Sequence, residues 1–216
     1  MVYRINRNPI IDDNGVLRVD IIQTEDAISE LFTGIGGNAS HGYVSGGQYQ
    51  PPTTPPFVAL RNDIERFPFS SDANASDVGN ITVARGASGT SSSTHGYNHS
   101  GGFGPPGFNH SNVIDKFLFS SSANSTDVGD CFASRTGGGN ESTTHGYQTG
   151  GRNPGSLNII HKYPFSSDAN STDVGDLTQA RYIQDGVNDD THGYTGGGSY
   201  GQLTVDRYTF ASDGNA

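Results

Sequence analysis

Apolar and polar side chains alternate in four short segments of the chain, and each ends on a pair of aromatics. They read Ile64-Glu65-Arg66-Phe67-Pro68-Phe69, Ile114-Asp115-Lys116-Phe117-Leu118-Phe119, Ile160-His161-Lys162-Tyr163-Pro164-Phe165 and Val205-Asp206-Arg207-Tyr208-Thr209-Phe210. The period-2 spacing of the aromatics predicts half-buried strands, with both aromatics of a pair on one face. Proline between two of the pairs predicts that these strands lie at sheet edges. Burial between sheets is expected of Phe69, Phe119, Phe165 and Phe210. Each segment runs into a turn of the Ser-Asp-Ala-Asn kind, whose Asp and Asn suit turns closed by their own side chains.

A second phrase answers the first. His-Gly-Tyr occurs at His41, His95, His145 and His192, each time running into a Gly-Gly pair: Gly46-Gly47, Gly101-Gly102, Gly150-Gly151 and Gly196-Gly197. From the first aromatic (67, 117, 163) to the next His (95, 145, 192) the distance is 28, 28 and 29 residues. From each His to the following aromatic it falls from 26 to 22, 18 and 16 residues. One half of the unit is constant and the other shrinks. Constant length predicts framework; drifting length predicts loops gathered on one face of a repeat array.

In phase with Asp-Val-Gly, the copies run 76–125, 126–171 and 172–216, and a first copy has only its second half, His41 to Ala75. The strand-sized pieces of a copy are the Asp-Val-Gly segment ending in Arg85, Arg135 or Arg181, the His-Gly-Tyr segment and the alternating segment. Ser91-Ser92-Ser93-Thr94 reads as a polar connection. Residues 1–33 differ from the rest. Asn14-Gly15 between two β-prone runs predicts a hairpin, and Thr24 caps an expected short helix from Glu25 to Phe32. This leader is expected to clasp the end of the array or to attach it elsewhere. The repeat domain is expected to fill 34–216.

Composition narrows the class. With 31 Gly, few charged residues and no Trp, the chain reads as short strands and tight turns, an all-β protein with a thin core whose stability leans on neighbouring units and on oligomerisation. A net charge of −10 argues against a nucleic-acid partner. Cys131 is the only cysteine and takes the place of Ile81 and Leu177, so it reads as a small buried apolar residue. The opening MVYRINRNPI has no apolar core, which predicts no export signal, and no run reaches membrane-spanning length.

Chemistry is sparse. Each motif His sits alone in its copy, without a second ligand at short spacing, so a hydrogen-bonding framework role is expected and no metal or cofactor. The string Asp72, Asn74, Asp77, Gly79 offers oxygens to a hard cation, but tight-turn chemistry explains the same letters and the second such turn carries Ser122 in place of the Asp. No nucleophile elbow or repeated acid pair is found, so no catalytic residue is expected. The positive signal lies in the variable loops. Tyr49, Phe57, Phe103, Phe108, His110, Arg152 and Tyr200, set among Pro, Asn and Gln, form the expected binding surface, because rigid aromatics recognise partners at low entropic cost.

The Arg, His-Gly-Tyr, Gly-Gly and acidic–basic–aromatic order resembles the kelch-type β-propeller blade over roughly residues 35–216, with Phe or Tyr where that family has Trp. Four kelch-like units in a small propeller are what the likeness implies. The phrases Ser-Asp-Ala-Asn-Ser-Thr-Asp-Val-Gly-Asp-Leu-Thr and Thr-His-Gly-Tyr, with the leader's Asn-Pro-Ile-Ile-Asp-Asp-Asn-Gly-Val-Leu, resemble repeat-bearing virion proteins of tailed phages. That likeness implies a non-enzymatic, fibre- or decoration-like virion component, assembled in the host cytoplasm. Its implied partners are other virion subunits and a host-surface glycan or protein, and its implied state is a homo-oligomer. A cellular glycan- or protein-binding propeller is the other reading.

Overall fold

The computed structural model describes residues 10–11, 17–18, 37–38, 40–49, 59–103, 109–134, 137–199 and 201–216. Its strands in chain order are β1 (Ile10–Ile11), β2 (Leu17–Arg18), β3 (Gly37–Asn38), β4 (His41–Ser45), β5 (Gln48–Tyr49), β6 (Ala59–Leu60), β7 (Asp63–Pro68), β8 (Ser76–Asn80), β9 (Gly86–Ser91), β10 (His95–Phe103), β11 (Asn109–Leu118), β12 (Thr126–Ser134), β13 (Gly138–Glu141), β14 (His145–Thr149), β15 (Leu157–Pro164), β16 (Thr172–Arg181), β17 (Gln184–Asn188), β18 (His192–Gly197) and β19 (Val205–Thr209). The protein is all-β. No helix occurs among the described residues, and none there is long and apolar enough to cross a membrane.

Four antiparallel sheets carry the structure, in the orders β3-β4-β7-β8, β9-β10-β11-β12, β13-β14-β15-β16 and β17-β18-β19. Each is a meander whose second strand holds His-Gly-Tyr and whose third holds the aromatic pair. The leader's hairpin is present as β1 paired with β2, Ile10 opposite Arg18. The expected helix at 25–32 lies outside the described residues.

Three expectations need correction. The two proline-bearing alternating strands are interior, not edges: β7 lies between β4 and β8, and β15 between β14 and β16. Pro164 is tolerated because the ladder to β16 has already ended at Lys162 opposite Thr172, while the Phe165 amide bonds Thr144 on the other side. Pro68 likewise closes β7 beyond the last pair with β8, Arg66 opposite Ser76.

The second correction concerns the Gly- and Ser-rich stretches, which are strands. β9, β13 and β17 are the first strands of their sheets, and Ser91 ends β9. They lack an apolar pattern because consecutive sheets approach there backbone to backbone: a Cβ on Gly139 would lie 2.3 Å from the Gly89 carbonyl oxygen, and one on Gly186 2.2 Å from that of Gly139. The third is phase. The Asp-Val-Gly strand closes the sheet of the aromatic strand before it, so a sheet begins at β9, β13 or β17 and not at Asp-Val-Gly.

One joint links successive sheets. Tyr43 stacks on Phe119 at 4.8 Å between ring centroids, Tyr97 on Phe165 at 4.7 Å and Tyr147 on Phe210 at 4.9 Å. The other aromatic of each pair is deeply buried: Phe117, Tyr163 and Tyr208. Phe119 is buried as expected, whereas Phe69, Phe165 and Phe210 are partly buried. Each inner ring also covers the glycine of its cross-strand His-Gly-Tyr, where a Cβ on Gly96 would meet Phe117 at 2.2 Å and one on Gly146 would meet Tyr163 at 2.4 Å. Ring over glycine is a known way to fill a strand position that has no side chain.

At the outer edge, the Ser-Asp-Ala-Asn turn of one sheet clamps the Asp-Val-Gly strand of the sheet before it. The Asn124, Asn170 and Asn215 side-chain oxygens accept from the amides of Asn80, Asp130 and Asp176 at 2.9–3.0 Å. The amides of Ser125, Ser171 and Ala216 return bonds to the carbonyls of the same three residues. The Asp77, Asp127 and Asp173 carboxylates cap their own strands through the Gly79, Gly129 and Gly175 amides. These joints run first sheet to second, second to third and third to fourth. Closure of the fourth sheet on the first, the mark of a propeller, is not seen among the described residues.

Candidate functional site

The two ends of the sheets differ in kind. At one end, tight turns join the first strand to the second. Ser92, Ser142 and Asp189 cap the backbone amides of Thr94, Thr144 and Thr191, and of the His that follows each. The motif His residues belong here. Each Nδ1 lies 2.7–2.8 Å from the hydroxyl of the preceding Ser40, Thr94, Thr144 or Thr191. Burial, and then Lys116 or Lys162, lowers the pKa of His95 and His145; burial, and then Arg66, lowers that of His41. For these three, burial favours the neutral imidazole. No cluster of His, Cys, Asp and Glu suited to a metal occurs among the described residues.

The variable loops leave from the opposite end, between the second and third strands, and the crossings from sheet to sheet run there too. A pair of left-handed residues marks each departure: Gly46-Gly47, Ser100-Gly101, Gly150-Gly151 and Gly197-Gly198. In the second and fourth loops this pair is displaced by one residue from the Gly-Gly read in the sequence. The Gly47 and Gly151 amides bond the carbonyls of Arg85 and Arg181 at 2.8 Å.

These two arginines, wholly buried, hold the loop stems. The Arg85 guanidinium donates to Ser100 O at 2.7 Å before the second loop and to Val113 O at 3.2 Å after it, and pairs with the buried Asp115 carboxylate at 2.7 Å. Arg181 donates to Gly197 O at 3.4 Å and Thr204 O at 2.9 Å on either side of the fourth loop, and pairs with Asp206 at 2.5 Å. With both stems pinned from one buried point, the residues between them can change in number without disturbing the sheet.

The second crossing is built differently. His161 stands where Asp115 and Asp206 stand in their sheets, and Phe132 replaces Thr82 and Thr178. Phe132 meets the His161 ring edge to face at 5.6 Å, while His161 keeps the serine contact, 3.1 Å to Ser171 Oγ, that Asp115 makes to Ser125. Gln148 supplies the donor, to Phe132 O and to Ser134 Oγ.

The predicted binding residues divide. Phe57, Phe108 and Tyr200 lie outside the described residues, and Tyr49 and Phe103 are placed there only as backbone, in β5 and at the end of β10. Partly buried His110 pairs with Gly102 at the foot of the second loop. Arg152 is a staple: it donates to Pro154 O at 3.0 Å, reaches the Tyr182 hydroxyl at 3.4 Å and lies 5.1 Å from the centre of that ring. The loop-end residues missed in the sequence are Tyr182 and Asn153, which donates to Ala133 O on the crossing. Their only signal was closeness to Arg181 and Arg152. A shallow depression of about 390 Å³, lined by Leu60, Arg61, Asn62 and Asp63, opens at the foot of the first loop.

Cys131, His99 and Glu141 are titratable side chains buried in the interior. Cys131 is buried, accepts the Ser100 amide, and has its thiol pKa pushed up to about 12 by burial, so it is a protonated core group. His99 is buried against Tyr163, and burial followed by Arg85 brings its pKa down to about 3. Glu141, on β13 between the second and fourth sheets, accepts the Ser91 hydroxyl; burial raises its pKa to about 8, which leaves it protonated at neutral pH. The chain matches no protein-family model and no curated protein.

Proposed function

We propose that the chain is a non-enzymatic structural protein of a tailed-phage virion, fibre- or decoration-like, that presents its unequal loops to a host surface or a neighbouring subunit. The observation that supports this most is the common root of the loops. Four loops of different length leave the same end of four like sheets, two of them on stems tied to a buried arginine. Such a base holds recognition residues on rigid elements while leaving their identity free. The sheets are read as kelch-like blades, each a four-stranded meander where complete. The virion assignment rests on the repeat phrasing and the leader.

The test is to shorten the loops at 51–57 and 104–108 and to measure host adsorption beside particle assembly. Adsorption lost with assembly intact is expected for a host-facing loop surface. Loss of assembly alone assigns the loops to a neighbouring subunit, and a folded variant unchanged in both respects overturns the proposal.

A further inference from the structure

The joints between sheets share one place for a polar contact. One partner stands two residues after the His-Gly-Tyr tyrosine of a sheet, and the other one residue after that of the next. Between the first and second sheets Ser45 Oγ donates to Asn98 Oδ1 at 2.7 Å, and between the third and fourth Thr195 Oγ1 donates to Thr149 Oγ1 at 3.2 Å. Between the second and third sheets His99 and Gln148 hold these places. Both are wholly buried, and both face into the joint. The His99 ring meets Tyr163 of the third sheet edge to face at 5.7 Å, and Gln148 reaches back to Phe132 and Ser134 of the second. No direct bond joins the two.

What each has left over is complementary. Gln148 Nε2 donates to Phe132 O at 2.9 Å and to Ser134 Oγ at 2.7 Å, which fixes the amide with its oxygen as the free end. His99 Nδ1 lies 3.4 Å from Ser100 Oγ. Burial, and then Arg85, keeps this imidazole neutral, so it carries a single N–H. Gln148 Oε1 and His99 Nε2 are each buried without a hydrogen-bond partner among the described residues. Leaving such groups unsatisfied is costly, and one ordered water closes a polar contact too long for a direct bond.

We infer that the joint between the second and third sheets binds one water molecule, which accepts from His99 Nε2 and donates to Gln148 Oε1. His99 Nδ1 then accepts the Ser100 hydroxyl hydrogen. The water does for this joint what the Ser45–Asn98 and Thr195–Thr149 bonds do for its neighbours. It lies in the interior, so it stands or falls independently of the recognition proposal.

Nuclear magnetic resonance of the native chain, labelled with 15N at histidine, provides the test, together with a crystal structure. A His99→Phe variant, which keeps a ring against Tyr163, identifies the His99 resonance by its loss. The expected result is an imidazole protonated at Nε2, whose proton shows cross-relaxation to a long-lived water. The crystal should place one water within hydrogen-bonding distance of both His99 Nε2 and Gln148 Oε1. Protonation at Nδ1, an Nε2 proton without contact to water, or a direct His99–Gln148 bond in the crystal would each overturn the inference.

Discussion

The turn end and the loop end of this array solve opposite problems with the same sheets. At the turn end everything repeats: hydroxyl to imidazole, ring over glycine, tyrosine on phenylalanine, asparagine to the strand before. At the loop end only the anchor repeats, a buried guanidinium tied to both stems of a loop, and what lies between the stems drifts in length. Stability therefore belongs to the spaces between sheets and variation to what hangs from them. The second crossing sharpens the lesson. There His161 stands in place of the acid, Phe132 packs on its ring, and Gln148 donates to the Phe132 carbonyl and the Ser134 hydroxyl, so the residues at a crossing change together.

Substitutions can break that contrast. Tyr163→Ala removes a fully buried ring that fills the space over Gly146 and packs on Tyr97, and should cost about 3–5 kcal/mol in equilibrium denaturation. Arg85→Ala leaves Asp115 buried without its cation and should cost about 3–5 kcal/mol, while Arg85→Met combined with Asp115→Leu should recover most of that loss. Equal destabilisation by the single and double changes would show that the guanidinium's bonds to the loop stems matter more than its charge.

Glu141 gives a pH-dependent effect with a definite sign. Its folded-state pKa is raised to about 8 from 4.5, so the fold favours the protonated acid. The stability this carries is complete below the unfolded pKa and is lost as pH rises through the folded one. Between about pH 5 and pH 9 the native chain should lose roughly 4 kcal/mol that the Glu141→Gln variant keeps. Parallel pH profiles for the two proteins would contradict the burial of this carboxyl.

Much of the framework was legible because it repeats and because period-2 alternation survives in every copy. Ile64, Ile114 and Ile160 are wholly buried; Ile114 and Ile160 pack toward the following sheet, on the face opposite the aromatics three residues on. The first strands were not legible: a strand packed backbone to backbone needs glycine, and glycine reads as a turn. Proline misled at Pro68 and Pro164, since a missing donor is harmless once the neighbouring ladder has ended. Of the loop end, the unequal lengths were visible, but the roles of Arg85 and Arg181 were not, because their partners lie 30 and 25 residues away, in the next sheet. Arg152, read as a contact residue, also bonds Pro154 O and the Tyr182 hydroxyl, which its sequence position did not show.

The central claim is that the loops hang from the sheets without holding them together. Equilibrium denaturation of a chain with residues 51–57 and 104–108 shortened, run beside Tyr163→Ala, tests it most directly. The shortened chain should stay within about 0.5 kcal/mol of the native one, with the same denaturant dependence. A loss as large as that of Tyr163→Ala would place the loops in the framework and contradict the account.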